Sequence, residues 1–240
     1  MPIGVKYAAA MVSVAMMKGS WKLYTGEQTM YKNFFKRLFD IVFAIVGLIP
    51  FGIIFIIFAP IIYLTDQGSV FYVSQRVGKN EKVFKMLKFR SMYVNAPDIR
   101  NTDGSTYNGI MDPRVSKVGH FLRKTSLDET AQILNVLIGD MSVVGPRPAT
   151  PIILKNPTDL QRQRFAARPG ITGYSQMMYR NSVQGEKRYL ADQFYVEHIG
   201  FLLDLMILWK TVLKVLKHED IYNEVSQTAE EKVKEKPYEA

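Results

Sequence analysis

The chain has 240 residues, a formal net charge of +9 at pH 7 and a hydrophobic fraction of 48%, so it can form one packed domain with appendages and is not intrinsically disordered. The absence of cysteine excludes disulfides, thiolate nucleophiles and cysteine-ligated metal sites. The three histidines lie far apart, so any metal is expected to be a hard cation on carboxylates rather than zinc. No helix-turn-helix, RNP-like or zinc-finger pattern accompanies the charge, so nucleic acid is not an expected partner.

The two ends of the chain differ from its middle. Residues 1–30 are predicted to form an N-terminal extension, in which the apolar run from Tyr7 to Met17 is like a faint signal peptide without a convincing cleavage site. A surface-lying or poorly ordered segment is the favoured interpretation. Residues 219–240 are rich in Glu and Lys and are predicted to form a charged, solvated tail.

A long apolar segment occupies residues 31–65. No charge occurs from Ile41 to Leu64, which is long enough to reach across a bilayer. Basic residues flank the segment on both sides, and this argues against a spanning helix because positive charge favours the cytoplasmic side. Pro50 removes a helix hydrogen bond and can turn the segment back on itself. The sequence favours a re-entrant helix–break–helix with Pro50 as the membrane break, while a true span and a buried core helix stay open.

Residues 66–218 are predicted to form the catalytic domain. Gly68 begins a turn and a short strand, and the stretch from Lys82 to Arg90 alternates weakly as a second strand would, so a β-hairpin is expected. Polar residues from Asn95 to Asp112 indicate a long loop near the site. The run from Phe201 to Leu216 has an apolar body with lysines at helical spacing, which favours an interfacial helix on a membrane over an ordinary core helix.

The residues richest in chemistry begin at Ser126. Ser126 and Glu129 have the spacing of a capping box, which places Asp128 in the first turn of a helix. On that helix Gln132 and Asn135 share the face of Asp128, and such a polar stripe needs partners if it is buried. The simplest interpretation is a capped helix start.

Asp128 also suits phosphate chemistry. A helix N-terminus favours an ionised carboxylate and collects phosphate, so Asp128 is expected to be charged and close to an anionic substrate. An ionised carboxylate can attack phosphorus or hold a divalent cation. Asp128 and Glu129 are therefore the candidate catalytic pair and the candidate metal ligands.

Basic residues supply candidate phosphate ligands, because the planar fork of arginine suits bidentate phosphate binding. Arg147 and Arg168 each precede a proline, which biases their backbones towards extended conformations. The alternative is a solvated basic face that attracts anionic lipid. No P-loop, dinucleotide-binding glycine motif or nucleophile elbow occurs. The candidate phosphate-binding residues are Lys88, Arg90, Arg114, Arg123, Arg147 and Arg168.

An ordered set of motifs resembles one known family. The motifs are Lys36-Arg37-x-x-Asp40, Gln75 with Gly78, Lys88-Phe89-Arg90-Ser91-Met92, Asp112-Pro113-Arg114, Ser126-Leu127-Asp128-Glu129, Asn135 to Ser142, Gly145-Pro146-Arg147-Pro148 and Arg168 to Gly173. Over about residues 31–218 the chain resembles the bacterial sugar transferases that initiate exopolysaccharide or glycan assembly, the monotopic polyprenyl-phosphate phosphoglycosyl transferases. A single motif is weak, but the ordered set is highly specific.

The resemblance implies a reaction and the residues that perform it. The donor would be a UDP-sugar, the acceptor polyprenyl (undecaprenyl) phosphate and the cofactor Mg2+. Asp128 would attack the sugar-linked phosphorus, release UMP and form a phosphosugar–enzyme intermediate. Glu129 would bind magnesium or assist the acceptor, Arg123 would orient the pair, and the other basic candidates would contact phosphate.

The resemblance also implies a location and a fold. The enzyme would be monotopic in the bacterial cell membrane, with its catalytic domain on the cytoplasmic face. The fold would be α+β and mostly helical, with a re-entrant membrane helix, interfacial amphipathic helices and a small β-hairpin around the site. Two alternatives stay open: a membrane-anchored adaptor without activity, and an enzyme in which the acceptor attacks directly while Asp128 only holds magnesium. The sequence does not identify the sugar or the oligomeric state.

Overall fold

The computed structural model describes residues 30–99, 112–179 and 185–216. Residues 1–29, most of the loop predicted over 95–112 and the predicted tail 219–240 lie outside the described residues. A π-helical turn at Tyr31–Phe35 comes first, and the helices and strands that follow are α1 (Lys36–Asp66), β1 (Phe71–Val77), β2 (Val83–Phe89), α2 (Lys117–Thr125), α3 (Gln132–Ile138), β3 (Ser142–Val144), α4 (Asp159–Gln163), β4 (Gly170–Thr172), α5 (Tyr174–Tyr179), α6 (Glu186–Glu197) and α7 (Phe201–Leu216).

Helix α1 is continuous through both of its prolines. It includes Pro50 and Pro60 and ends at Asp66, where Gln67 takes a left-handed conformation (φ 55°) and donates its N–H to the Tyr63 carbonyl. The interruption expected at Pro50 is therefore not seen in the bounds of the helix. A proline removes one hydrogen bond, and the bonds of neighbouring turns can carry the helix past it. The re-entrant path itself stays a prediction.

Polar contacts attach both ends of α1 to the rest of the domain. In its second turn, the buried carboxylate of Asp40 accepts a hydrogen bond from the Ser142 hydroxyl at 2.8 Å. In its last turn, Asp66 accepts bidentate bonds from Arg90 at 2.6 and 2.7 Å. The two ends of this 31-residue helix are thus held by one folded domain.

Between its ends, α1 is covered on one side and bare on the other. Ala44 is fully buried, and Phe55 stacks on Phe71 of β1 with ring centroids 5.6 Å apart. Tyr31–Asp66 is the one helix in the described residues that is long and apolar enough to cross a membrane. The side chains of its bare face include Leu38, Val42, Val46, Ile49, Ile53, Ile56 and Leu64.

The predicted β-hairpin is confirmed. Strands β1 and β2 pair antiparallel, with Phe71 opposite Phe89 and Val77 opposite Val83. The chain reverses in a 3₁₀ turn at Lys79–Glu81. Phe89 packs on the aromatic side chains of α1, so the hairpin is attached to the long helix.

A second, smaller sheet was not predicted. Strands β3 and β4 pair in parallel, with Ser142 opposite Gly170 and Val144 opposite Thr172. Each strand has three residues, which is too short for the alternation that indicates a strand. The main hydrophobic core surrounds β3 and buries Val143 and Val144.

Helix α7 is amphipathic, as its sequence predicted. Its inward side buries Asp204 and Ile207 completely. Contact of its outward side with a membrane stays a prediction. The exposed apolar side chains of α7 are Phe201, Leu202, Leu205, Trp209, Val212 and Leu213.

A buried polar cluster joins α1, α6 and α7 around Asp204. Asp204 accepts hydrogen bonds from the hydroxyls of Tyr31 at 2.7 Å and Tyr195 at 2.8 Å. The Lys36 ammonium lies 2.8 Å from Asp204 and 3.3 Å from Asp40. One carboxylate therefore connects the long apolar helix to the C-terminal amphipathic helix.

Candidate active site

The capping box predicted at Ser126 is wrong. Ser126 has a left-handed backbone (φ 59°) and ends α2, with its N–H donated back to the Arg123 carbonyl. An N-cap residue needs an extended backbone, and no capping hydrogen bond from the Ser126 side chain is formed. The segment that follows, Leu127–Ala131, is a 3₁₀ turn that leads into α3. Asp128 therefore lies in the first turn of a helical segment, as predicted, but Ser126 does not cap that segment.

Asp128 lies in a recess of charged side chains and is still partly exposed. Burial raises its pKa to about 6, and the neighbouring Glu129 carboxylate adds to the rise. The positive charges of Lys88, Arg123 and Arg147 oppose it. A pKa in this range keeps the carboxyl group largely ionised at pH 7 and close to its titration range.

Glu129 pairs with cations. Its Oε1 lies 2.6 Å from the Lys88 ammonium and 3.6 Å from an Arg147 nitrogen. The three side chains are each partly buried, with 20–31% of their surface exposed. This places a lysine and an arginine beside the candidate nucleophile.

Hydrogen bonds in the surrounding elements position Lys88 and Arg123 near Asp128. The side chain of Asn135 on α3 accepts the Leu87 N–H at 2.9 Å and donates to the Lys85 carbonyl at 2.8 Å, which fixes β2 and places Lys88 beside Glu129. This is the partner that the polar stripe on α3 predicted. On α2, Arg123 donates its Nε to the Ser91 hydroxyl at 2.8 Å.

Two predicted phosphate ligands form ion pairs with carboxylates of the protein, and their contact with phosphate stays a prediction. Arg90 is bound to Asp66 at the end of α1. Arg114 is buried and donates to both oxygens of Asp112 at 2.8 and 2.9 Å and to the Pro97 carbonyl at 3.0 Å. All three nitrogens of each of these two guanidinium groups donate to protein oxygens, so a phosphate would have to displace bonds that are already made.

Arg168 is attached to the other end of α3. Its Nε donates to the Gly139 carbonyl at 2.9 Å, where a positive φ of 105° ends the helix. Asp128 precedes the first residue of α3, so roughly 10 Å of helix lies between the two anchoring points. Of the six basic candidates, the structure brings together Lys88, Arg123 and Arg147 around Asp128.

A second group of charges was missed by the sequence interpretation. On α6, Asp192 is buried, and its carboxylate lies 2.8 Å from the Arg164 guanidinium. Arg188 lies one helical turn before Asp192, a spacing that places both residues on one face of α6. That spacing is visible in the sequence, but the contact with Arg164 is not.

Comparison with known proteins gives consistent matches. The profile of the family described as bacterial sugar transferase matches residues 31–218. A UDP-galactose-lipid carrier transferase of Erwinia amylovora is 39% identical over 203 residues, which cover 79% of this chain and 42% of that protein. The sugar transferase EpsL of Bacillus subtilis, which is uncharacterised, is 40% identical over 195 residues, 81% of this chain and 94% of that protein. An undecaprenyl-phosphate galactose phosphotransferase of Salmonella typhimurium is 39% identical over 207 residues, 79% and 42%. The chain thus spans less than half of the Erwinia and Salmonella proteins.

Proposed function

Because the chain belongs to the bacterial sugar transferase family, as its motifs predicted, we propose that it transfers a sugar 1-phosphate from a UDP-sugar to polyprenyl phosphate and releases UMP. The observation that carries the proposal is Asp128 among Lys88, Arg123 and Arg147. The names of the Erwinia and Salmonella relatives, a lipid carrier and an undecaprenyl phosphate, support a polyprenyl acceptor. The adaptor alternative loses support, because the chain belongs to an enzyme family.

The proposed reaction has two steps at one carboxylate. An Asp128 oxygen attacks the sugar-linked phosphorus, and the bond from that phosphorus to the bridging oxygen breaks, so UMP leaves with the electron pair. A phosphate oxygen of the acceptor then attacks the aspartyl phosphorus and releases the Asp128 carboxylate. Lys88, Arg123 and Arg147 stabilise the charge that develops on the phosphate oxygens.

Glu129 has two proposed tasks. It holds the cations of Lys88 and Arg147 beside Asp128, since its Oε1 contacts both. Mg2+ in proteins usually takes one or two carboxylates together with substrate phosphates, and Asp128 and Glu129 match that requirement. When bound, the ion would neutralise part of the charge of the diphosphate. Phosphate oxygens of the substrate would complete its coordination.

The proposed location is the cytoplasmic face of the membrane, with both ends of α1 on one side. The contacts of Asp40 and Asp66 with a single domain support this arrangement, because a helix crossing a bilayer would separate its ends by about 30 Å of hydrocarbon. The bare faces of α1 and α7 supply apolar surface for lipid. Removing a polyprenyl chain from the bilayer costs about 0.8 kcal/mol per CH₂, so the chain stays in the membrane and the active site must lie at the membrane surface.

The test of the function is UMP release by the purified full-length chain with a panel of UDP-sugars, Mg2+ and undecaprenyl phosphate. At least one donor is expected to give UMP and a lipid-linked sugar phosphate. No UMP with any donor would overturn the proposal. Omission of the acceptor separates the two mechanisms, because only the covalent route leaves a phosphosugar on Asp128.

The first step is expected to depend on pH through Asp128. Protonation removes the nucleophile, so the rate of UMP release without acceptor should rise with pH along a limb whose midpoint lies near the raised pKa of about 6. Single-turnover rates between pH 4.5 and 8 measure this limb. A midpoint near the ordinary aspartate pKa of about 4 would contradict the environment described for Asp128.

The topology can be tested with single cysteines, since the chain has none of its own. Met30 precedes α1 and Tyr72 follows it, and both side chains are more than half exposed. We expect Met30→Cys and Tyr72→Cys to resist an impermeant thiol reagent in intact cells and to react after the cells are permeabilised. Labelling of only one of them in intact cells would mean that α1 crosses the membrane.

A further inference from the structure

Three guanidinium groups, those of Arg147, Arg164 and Arg188, interact with one another, and Arg147 also lies beside the candidate nucleophile. Arg164 donates to the Arg147 carbonyl at 2.5 Å and lies over the ring of Tyr189, 5.3 Å from its centroid. Its other close partner is the buried Asp192, at 2.8 Å. Arg188 stands one turn before Asp192 on α6, on the same face of that helix.

These arginines carry more positive charge than their surroundings balance. Burial, together with the charges of Arg147 and Arg164, lowers the pKa of Arg188 to about 10, while Asp192 opposes the shift. Among the described residues, Asp192 is the carboxylate that interacts with these three guanidinium groups, and Arg147 also pairs with Glu129. With Lys88 and Arg123 included, the described residues here supply five cations and three carboxylates, those of Asp128, Glu129 and Asp192, so the positive charges exceed the negative charges by two.

A small recess opens at this cluster. Arg147 and Arg164 line it together with Gly78, at the end of β1, and Phe165. Arg147 belongs to both groups, because its guanidinium lies 3.6 Å from Glu129 on the other side. Arg147 therefore contacts both the recess and the surroundings of Asp128.

We infer that Arg147, Arg164 and Arg188 form a subsite for a second substrate phosphate, next to the phosphate that reacts with Asp128. The inference rests on the proposed function, since it needs a substrate with phosphate at Asp128. Three guanidinium groups suit a phosphate because each can donate paired N–H groups to its oxygens. Asp192 keeps part of the group in place without neutralising it.

The second phosphate belongs either to the donor or to the lipid acceptor. The two phosphates of a UDP-sugar share one bridging oxygen, so a donor whose sugar-linked phosphorus lies at Asp128 presents its other phosphate within reach of Arg147. We therefore expect the nucleotide phosphate to occupy the subsite, where it would also stabilise the leaving UMP. The acceptor phosphate is the other source that the experiment distinguishes.

The experiment compares Arg188→Gln with Arg162→Gln in the purified full-length chain. Arg162 is an exposed arginine on α4 whose described partner is Glu81 at 3.2 Å, so it is a matched control. Affinity for UDP is measured by calorimetry, and the KM for undecaprenyl phosphate at saturating donor. Arg188→Gln loses one charge-assisted contact, so its affinity for UDP should fall about tenfold or more. Arg162→Gln should bind UDP as the parent does, and Arg188→Lys should largely restore the affinity.

The outcomes separate the possibilities. A tenfold rise in the KM for undecaprenyl phosphate, with unchanged UDP affinity, would assign the subsite to the lipid phosphate. If neither quantity changes in a folded variant, the subsite does not exist. A parent protein that releases no UMP with any donor would instead overturn the proposed function, so the two failures are distinct.

A second measurement needs no variant. Phenylglyoxal modifies accessible arginines, and mass spectrometry of the parent protein reports modification of Arg188 and Arg162 separately. UDP or undecaprenyl phosphate should protect Arg188 and leave Arg162 reactive. Equal modification of Arg188 with and without both ligands would overturn the inference even if Arg188→Gln fails to fold.

Discussion

Asp128→Asn is expected to lower UMP release by on the order of 10³-fold or more, with donor alone and with donor plus acceptor. The amide keeps the size of the side chain but cannot form the bond to phosphorus. Release of UMP in a single turnover, together with intact-mass detection of a phosphosugar adduct in the parent, measures the effect. Asp159→Asn on the exposed first turn of α4 is the matched control and should behave as the parent.

The same variant separates catalysis from folding. Because the folded environment raises the pKa of Asp128 to about 6, ionisation of this group opposes folding at neutral pH. The amide carries no charge, so we expect the melting temperature of Asp128→Asn to be at or above that of the parent. An inactive variant with a much lower melting temperature would indicate a structural role for Asp128. Full turnover in Asp128→Asn would contradict the assignment of Asp128 as the nucleophile.

The pairing of the charged side chains around Asp128 could be predicted only in part from the sequence. The basic residue types indicated phosphate ligands, but composition does not reveal which arginine already has a partner. Arg90 finds Asp66 across 24 residues of chain, a contact that depends on how α1 meets the hairpin. Arg114 is different, because its partner Asp112 lies two residues away and that spacing could have indicated an internal ion pair.

Local signals at Ser126 predicted the wrong geometry. Ser, Thr, Asp and Asn favour N-caps, and a Glu three residues later fits a capping box. The preceding helix α2 ends at Thr125, so the same serine must also end that helix, and it adopts the left-handed conformation for this purpose. Two adjacent helices therefore compete for one residue, and the sequence pattern alone does not show which of them prevails.

Contacts between distant segments account for the rest. The hairpin was predictable because its strands are neighbours and seven residues long, whereas β3 and β4 have three residues each and pair across 28 positions. The sequence predicted that Asn135 needs hydrogen-bond partners if it is buried, but it did not identify the Leu87 N–H and the Lys85 carbonyl. The arginine group at Asp192 needed α6 to fold against the segment that contains Arg164 before it could be recognised.

The largest effect on stability is expected at Asp204. Asp204→Ala removes the acceptor of two tyrosine hydroxyls and the main counter-charge of Lys36, whose side chain is only 12% exposed. Burial raises the pKa of Tyr195, and the charge of Asp204 raises it further, so this hydroxyl remains a donor that would lose one of its two acceptors and keep the Val144 carbonyl at 2.9 Å. Removing one partner of a buried ion pair typically costs about 3–5 kcal/mol.

Thermal or denaturant unfolding in detergent measures that cost. For a chain of this size we expect the melting temperature of Asp204→Ala to fall by at least about 6 °C. Asp204→Asn keeps an acceptor oxygen and should lose less, and Lys36→Met should also lose less because both tyrosines still donate to the carboxylate. Asp159→Ala, on the surface, should change little. If Asp204→Ala has the same melting temperature as the parent, the polar cluster does not hold α1 and α7 to the domain. The attachment of these apolar helices would then come from packing alone.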